Sequence, residues 1–193
     1  MIMETERFEA LIDAILAIMI TIIVMEIPLP ESTTLAALLK LAPEFISYLV
    51  SFVICFNVWM YHHNLFNIVN KLNSNITWNS AIGMMVIGLL PHVTSMISTD
   101  FNSFVAQFMF GLIFFITNIN FYVTDLLLLR MDRANIALAL TLEDRKKMTL
   151  ITSFVQIFGV ILGYLYYPPA IFVSCILSMI IMMSWNKLKN LVR

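Results

Sequence analysis

The sequence predicts an all-helical integral membrane protein with six transmembrane helices, on three observations. Of its 193 residues 61% are hydrophobic and 12% are charged, a balance that cannot build an ordinary solvated surface. The mean hydropathy is +0.91. The apolar residues fall in runs of about 20, the length that crosses a bilayer as helix, separated by short polar or proline-bearing breaks. At that length residues 1–193 read as one six-span unit with no separate soluble domain. The net charge of −1 offers no basic field, so no nucleic-acid partner is expected.

Taken in order, the apolar runs predict helices over 8–27, 44–63, 78–97, 102–128, 148–167 and 169–186. The first is preceded by "MIMETERFEA", which is acidic and lacks the positive n-region of a secretory signal, so this span is expected to be retained. "PLPESTT" ends it, and "NIVNKLNSN" ends the second. The third carries Gly88 and Pro91, which predict a kink, and "STD" follows. The fourth brings Asn118, Asn120 and Asp125 into its second half. "RMDRANIALALTLEDRKK" predicts a helical extension at the cytoplasmic surface, and "YYPP" separates the last two spans. Cys55 and Cys175 both lie inside apolar runs, where they read as small buried hydrophobes.

The basic residues set the direction. Arg7, Lys71, Arg130, Arg133, Arg145, Lys146, Lys147, Lys187, Lys189 and Arg193 fall on one side of the six-span path, leaving only Lys40 of the eleven on the other. The positive-inside rule then puts both termini in the cytoplasm. "NIT" at Asn75 falls in a cytoplasmic loop and carries no weight as a glycosylation site. Glu26, Glu31, Glu44 and Asp100 lie near the outer face. They describe either an electronegative mouth that enriches cations or ordinary solvated loop carboxylates.

One carboxylate is out of place. Asp13 stands within the first span, where an unpaired charge costs several kcal/mol. At about 100° per residue, Ile18, Ile22, Met25, Thr21 and Ala14 share one helix face, and Asp13 and Glu9 fall opposite. In the second span Ser51, Cys55, Trp59 and His63 recur every fourth residue as a polar stripe. Trp59 and His63 lie at the depth of Asp13 when that helix returns to the cytoplasm. The expected arrangement has the Trp59 indole and the His63 imidazole both donating to Asp13. The competing arrangement has Asp13 and Arg7 reaching the interface by snorkelling.

Other chemistries fit less well. His62 and His63 are adjacent and point about 100° apart, with no carboxylate at the spacing a helical metal site needs, so metal binding is not predicted. Ser51 and His63 are about 18 Å apart along one helix axis, too far for a nucleophile and its base, so no enzyme is predicted. The rival function is a proton- or cation-coupled transporter using Asp13, Glu26, Asp125 and Gln156, although the first helix has no glycine or proline before Pro28 to break it at mid-membrane. A structural membrane protein would use "ILSMIIMMSW" and "FMFGLIFFITN" only as packing or lipid-facing surface.

Arg7, Asp13, Ala14, the Ala17–Ile18 pair, Thr21 and the exit "MEIPLP" resemble the first-helix signature R-x-x-x-F-S-D of the transmembrane-protein-175 potassium channels. "SYLVSFVICFNVWMYHHNLF" is similar to the serine, tryptophan and histidine pattern of that family's second helix. Where the family has Phe-Ser before the Asp this chain has Leu11-Ile12, so any hydrogen bond of that serine is absent. The resemblance implies a bacterial inner-membrane homotetramer whose four first helices line a pore for potassium, with no cofactor. It places a hydrophobic constriction at Ile18, Ile22 and Met25 and a lining hydroxyl at Thr21. Arg7, Asp13, Ser51, Trp59 and His63 fall on the supporting polar positions.

Overall fold

The computed structural model describes residues 2–67, 69, 71–131 and 136–191. Its elements run β1 (Ile2–Glu4), α1 (Thr5–Met25), α2 (Leu35–Lys40), α3 (Ala42–Phe66), β2 (Lys71–Asn73), α4 (Ser74–Ile87), α5 (Leu90–Thr99), α6 (Phe104–Met131), α7 (Ile136–Leu165) and α8 (Ala170–Leu191). Among the described residues, five stretches are long and apolar enough to cross a membrane: Thr5–Met25, Ala42–Phe66, Ser74–Thr99, Phe104–Met131 and Leu138–Leu165. The chain is a multi-pass membrane protein. The sixth expected span falls in α8, whose apolar stretch, Ala170–Trp185, is shorter than the other five. Arg133 and Arg193, two of the cations that set the expected direction, lie outside the described residues.

The third span is α4 and α5 joined at Gly88 and Leu89. Pro91 has no N–H to offer the carbonyl one turn back, and Leu89 closes a tighter turn by donating to the Val86 carbonyl at 3.1 Å. The expected kink is therefore a two-residue interruption of one span. α7 begins well before the apolar run, as the linker composition predicts. Two elements are not visible as periodic patterns. α2 is a short helix capped by Thr34, whose hydroxyl accepts from the Ala37 N–H at 3.3 Å, within the first loop. β1 and β2 pair antiparallel, Ile2 opposite Asn73 and Glu4 opposite Lys71, around a fully buried Leu72. This ribbon ties the segment before α1 to the second loop, so both lie at one end of the bundle, as the charge distribution requires.

Between membrane helices there is little hydrophobic driving force, and small residues and buried hydrogen bonds carry the packing. α4 and α6 are joined reciprocally: Asn79 Nδ2 donates to Thr124 Oγ1 at 2.8 Å, and Asn120 Nδ2 donates to the Asn79 carbonyl at 2.8 Å. Gly83 makes this possible, because a Cβ there would overlap the Asn120 amide. α7 and α8 close on each other in the same way, with Gly159 against Ser174 and Gly163 against Ile171. α3 meets α5 through Ser51, which donates to Thr94 Oγ1 at 2.7 Å, since the Thr94 hydroxyl is itself spent on the Leu90 carbonyl.

Candidate functional site

α1 has two unlike faces. Phe8, Ile12, Leu16, Met19 and Ile23 are buried in the core of the subunit, and their spacing of three and four residues makes one ridge. On the other side Ile18 is 59% exposed, Ile22 42% and Met25 82%. Thr21 is exposed beside them, its hydroxyl donating to the Ile18 carbonyl at 2.7 Å, which leaves its lone pairs outward. No part of the described chain covers this face. Ile12, at the position of the family's serine, is a core hydrocarbon.

Along one edge, between these faces, α1 is fastened to α3. Trp59 Nε1 donates to Asp13 Oδ1 at 2.9 Å, as the helical spacing predicts. His63 does not join it. Its Nδ1 meets Glu9 Oε1 at 3.0 Å, and its Nε2 accepts from Asn67 Nδ2 at 3.3 Å, the pattern of a neutral imidazole protonated on Nδ1. The reason is register: in an antiparallel pair, one turn forward on α3 faces one turn back on α1, so the residue after Trp59 in the stripe meets the residue before Asp13 in its own. Glu9, which shares the helix face of Asp13, is the partner that sequence reasoning missed. The indole and imidazole stack with centroids 5.0 Å apart and planes 9° from parallel, so the two contacts form one unit.

The other supporting positions fall elsewhere. Ser51 is on the α5 side of α3, bonded to Thr94, because a residue every fourth position drifts around a helix of 3.6 residues per turn. Arg7 is exposed and has no hydrogen bond or ion pair among the described residues. Asp13 itself is exposed in the subunit. The adjacent histidines have separate partners, His62 Nδ1 meeting the Val58 carbonyl at 2.9 Å.

A second polar cluster went unassembled in the sequence. Tyr61 donates to Asp125 Oδ1 at 2.9 Å, and its oxygen also lies 3.0 Å from the Phe121 carbonyl. Arg145 Nη1 lies 3.4 Å from the same carboxylate oxygen, and the guanidinium sits 4.6 Å above the centre of the Tyr61 ring. Arg145, read as a cytoplasmic surface cation, instead turns inward with a side chain only 16% exposed.

Comparison with known proteins fits this geometry. The sequence model of the endosomal/lysosomal potassium channel TMEM175 matches residues 7–91, the segment that holds α1, α3 and their seam. Over that segment the chain is similar to the TMEM175 family. A potassium channel of Chryseobacterium sp. (strain P1-3) is 38% identical over 98 residues, 51% of each chain. A potassium channel of Chamaesiphon minutus is 29% identical over 101 residues, 49% of this chain and 50% of that one. The endosomal/lysosomal proton channel TMEM175 of Danio rerio is 30% identical over 46% of this chain and 19% of its own. The chain thus spans about half the length of the bacterial relatives it matches. A solved structure, a lysosomal potassium-selective channel TMEM175 homolog from Chamaesiphon minutus, superposes with a TM-score of 0.73 over 94% of this chain and 98% of that one, at 21% identity. At that identity it shows a shared fold over 94% of this chain.

Proposed function

We propose that the chain is one subunit of a homotetrameric, potassium-selective cation channel of the bacterial inner membrane, with both termini in the cytoplasm. Four α1 helices line the path, with Ile18 and Ile22 as the constriction, Met25 as an outer ring and Thr21 as a lining hydroxyl. The observation that carries this reading is the uncovered Ile18/Ile22/Met25 face of α1, on a helix whose edge is fixed to α3 by Asp13–Trp59 and Glu9–His63. A rigid backing lets a small tilt of α1 change the width of the path. The two bacterial relatives are both potassium channels, which supports the permeant ion.

Branched hydrocarbon at a narrow point acts by dewetting: when the ring is tight, an ion would shed water with no oxygen to replace it. A slight widening admits a partly hydrated cation, and potassium, which holds water less tightly than sodium, passes first. No cofactor enters this scheme. The test is potassium flux from liposomes holding purified protein under a potassium gradient alone. The channel reading expects downhill flux without a second gradient, raised about tenfold by Ile18→Asn, the effect of about 1.4 kcal/mol on the barrier. Flux that requires a proton or sodium gradient would select the coupled transporter instead.

A further inference from the structure

A cavity of about 270 Å³ opens between α6 and α7, with α8 as its floor. Rim and floor differ in chemistry. Phe108 and Leu112 of α6 and Ile157 and Ile161 of α7 are exposed around the opening, whereas Gly111, Gln156, Ile171, Ser174 and Cys175 are buried beneath it. Gly111 brings α6 onto α8, since a Cβ there would overlap the Ile171 side chain. One floor residue is out of keeping. Gln156 is 3% exposed, and neither its Nε2 nor its Oε1 has a hydrogen-bond partner among the described residues. The Ser174 hydroxyl, also on the floor, donates to the Ile171 carbonyl at 2.7 Å, so it gives no proton to the amide. The hydrocarbon of a bilayer holds no water to do so either. A buried amide left in this state is penalised at its donor and again at its acceptor.

We propose that this cavity binds one uncharged glycerolipid with a free hydroxyl, of the diacylglycerol class, per subunit. The lipid hydroxyl donates to Gln156 Oε1, an ester carbonyl accepts from Gln156 Nε2, and the acyl chains leave between the apolar rim residues. Three features select this occupant. The amide needs both a donor and an acceptor, and a phosphatidylcholine brings acceptors alone. Among the described residues no Asp, Glu, Lys, Arg or His borders the cavity, so a charged headgroup would lie there unpaired, at high cost. Depth is the third. Gly111 is seven residues from the start of α6 at Phe104, and Ser174 four from the start of α8 at Ala170, which puts the floor about 6–10 Å inside that end of the bundle at the helical rise. This is the level just beneath the headgroups, where the ester and hydroxyl groups of a glycerolipid lie. Water fits less well, because the space exceeds what one amide can hold in place by hydrogen bonds.

The experiment is native mass spectrometry of the whole assembly, purified from phosphatidylcholine bilayers that contain a few per cent of diacylglycerol. Diacylglycerol retained about tenfold over its share of the bilayer, near one per subunit, supports the proposal. Its methyl ether, which keeps the esters and loses the O–H donor, should be retained about fivefold less. Equal retention of the ether, or of phosphatidylcholine, overturns the proposal. Gln156→Leu should lower diacylglycerol retention about fivefold and, in protein prepared without that lipid, raise Tm, because it removes a buried amide that has no partner there. A fall in Tm would show that the amide is satisfied elsewhere and overturn the reading. Val160→Phe places a ring in the cavity and leaves Gln156 intact, so full retention by that variant also overturns it. The comparison of lipid and ether uses the unaltered chain and decides the matter even if both variants fail to assemble.

Discussion

Asp13 and Asp125 both sit in membrane helices of this chain, and the fold treats them in opposite ways. Asp125 is enclosed: Tyr61 and Arg145 both reach it, and its side chain is 5% exposed. Asp13 has one neutral partner, the Trp59 indole, and lies at the surface of the subunit. A buried charge is tolerated only with a counter-charge and full hydrogen bonding, so the Asp125 cluster is complete within one chain. Asp13 keeps lone pairs to spare on an edge next to an uncovered apolar face. The difference separates a group enclosed within the subunit from one left at its surface.

The sharpest way to break this comparison is to remove the enclosed carboxylate. Asp125→Ala leaves Arg145 buried without its counter-charge, a change that costs about 3–5 kcal/mol when one partner of a buried pair is lost. Thermal unfolding in detergent should show a large fall in Tm, and an unchanged Tm would mean that Arg145 is solvated after all. Tyr61→Phe is the milder version. It keeps the ring that stacks on Phe121 at 3.9 Å and deletes the hydroxyl, so about 1–3 kcal/mol should be lost, the usual range for a buried acceptor left short. A Tyr61→Phe loss as large as that of Asp125→Ala would shift the weight of the cluster from the charge pair to the phenol.

How legible these two sites were follows from how local their signals are. The six apolar stretches are read from composition, and their ends shift by a few residues where caps and prolines set them, as at Pro43 in α3. Asp13–Trp59 was readable because both residues belong to four-residue stripes on helices that run antiparallel from a common face. His63 was assigned to the wrong carboxylate because depth was matched and register was not. The Asp125 cluster was not readable. Tyr61 and Arg145 approach it from 64 and 20 residues away, and in a charge run such as "EDRKK" nothing marks which cation turns inward. The β1–β2 ribbon has three residues in each strand, too few for an alternation to stand out.

On the exposed side the effects shrink. Trp59→Phe preserves an aromatic ring against Phe56 and His63 and removes only the indole donor, so the purified subunit should lose about 1 kcal/mol, the net value of one accessible hydrogen bond. Sharpening the comparison needs a second readout from the same variant, the fraction of assembled oligomer by size exclusion. If Asp13 is held in place for a neighbouring copy, assembly falls further than Tm does. If the two fall together, Asp13 serves only the α1–α3 seam.

The smallest effect distinguishes charge from geometry at that seam. His63 accepts from Asn67 and donates to Glu9, which is the bonding of a neutral ring, and the pair is partly open, with side chains 42% and 29% exposed. Glu9→Gln keeps an oxygen for the Nδ1 proton and deletes only the charge. With a neutral partner the change in stability should stay below about 0.5 kcal/mol, within the range of exposed pairs. A loss well above that would mean that the charge of Glu9, and not only its oxygen, holds the ring. That result would recast the seam as an ion pair and bring its two carboxylates closer in kind to Asp125.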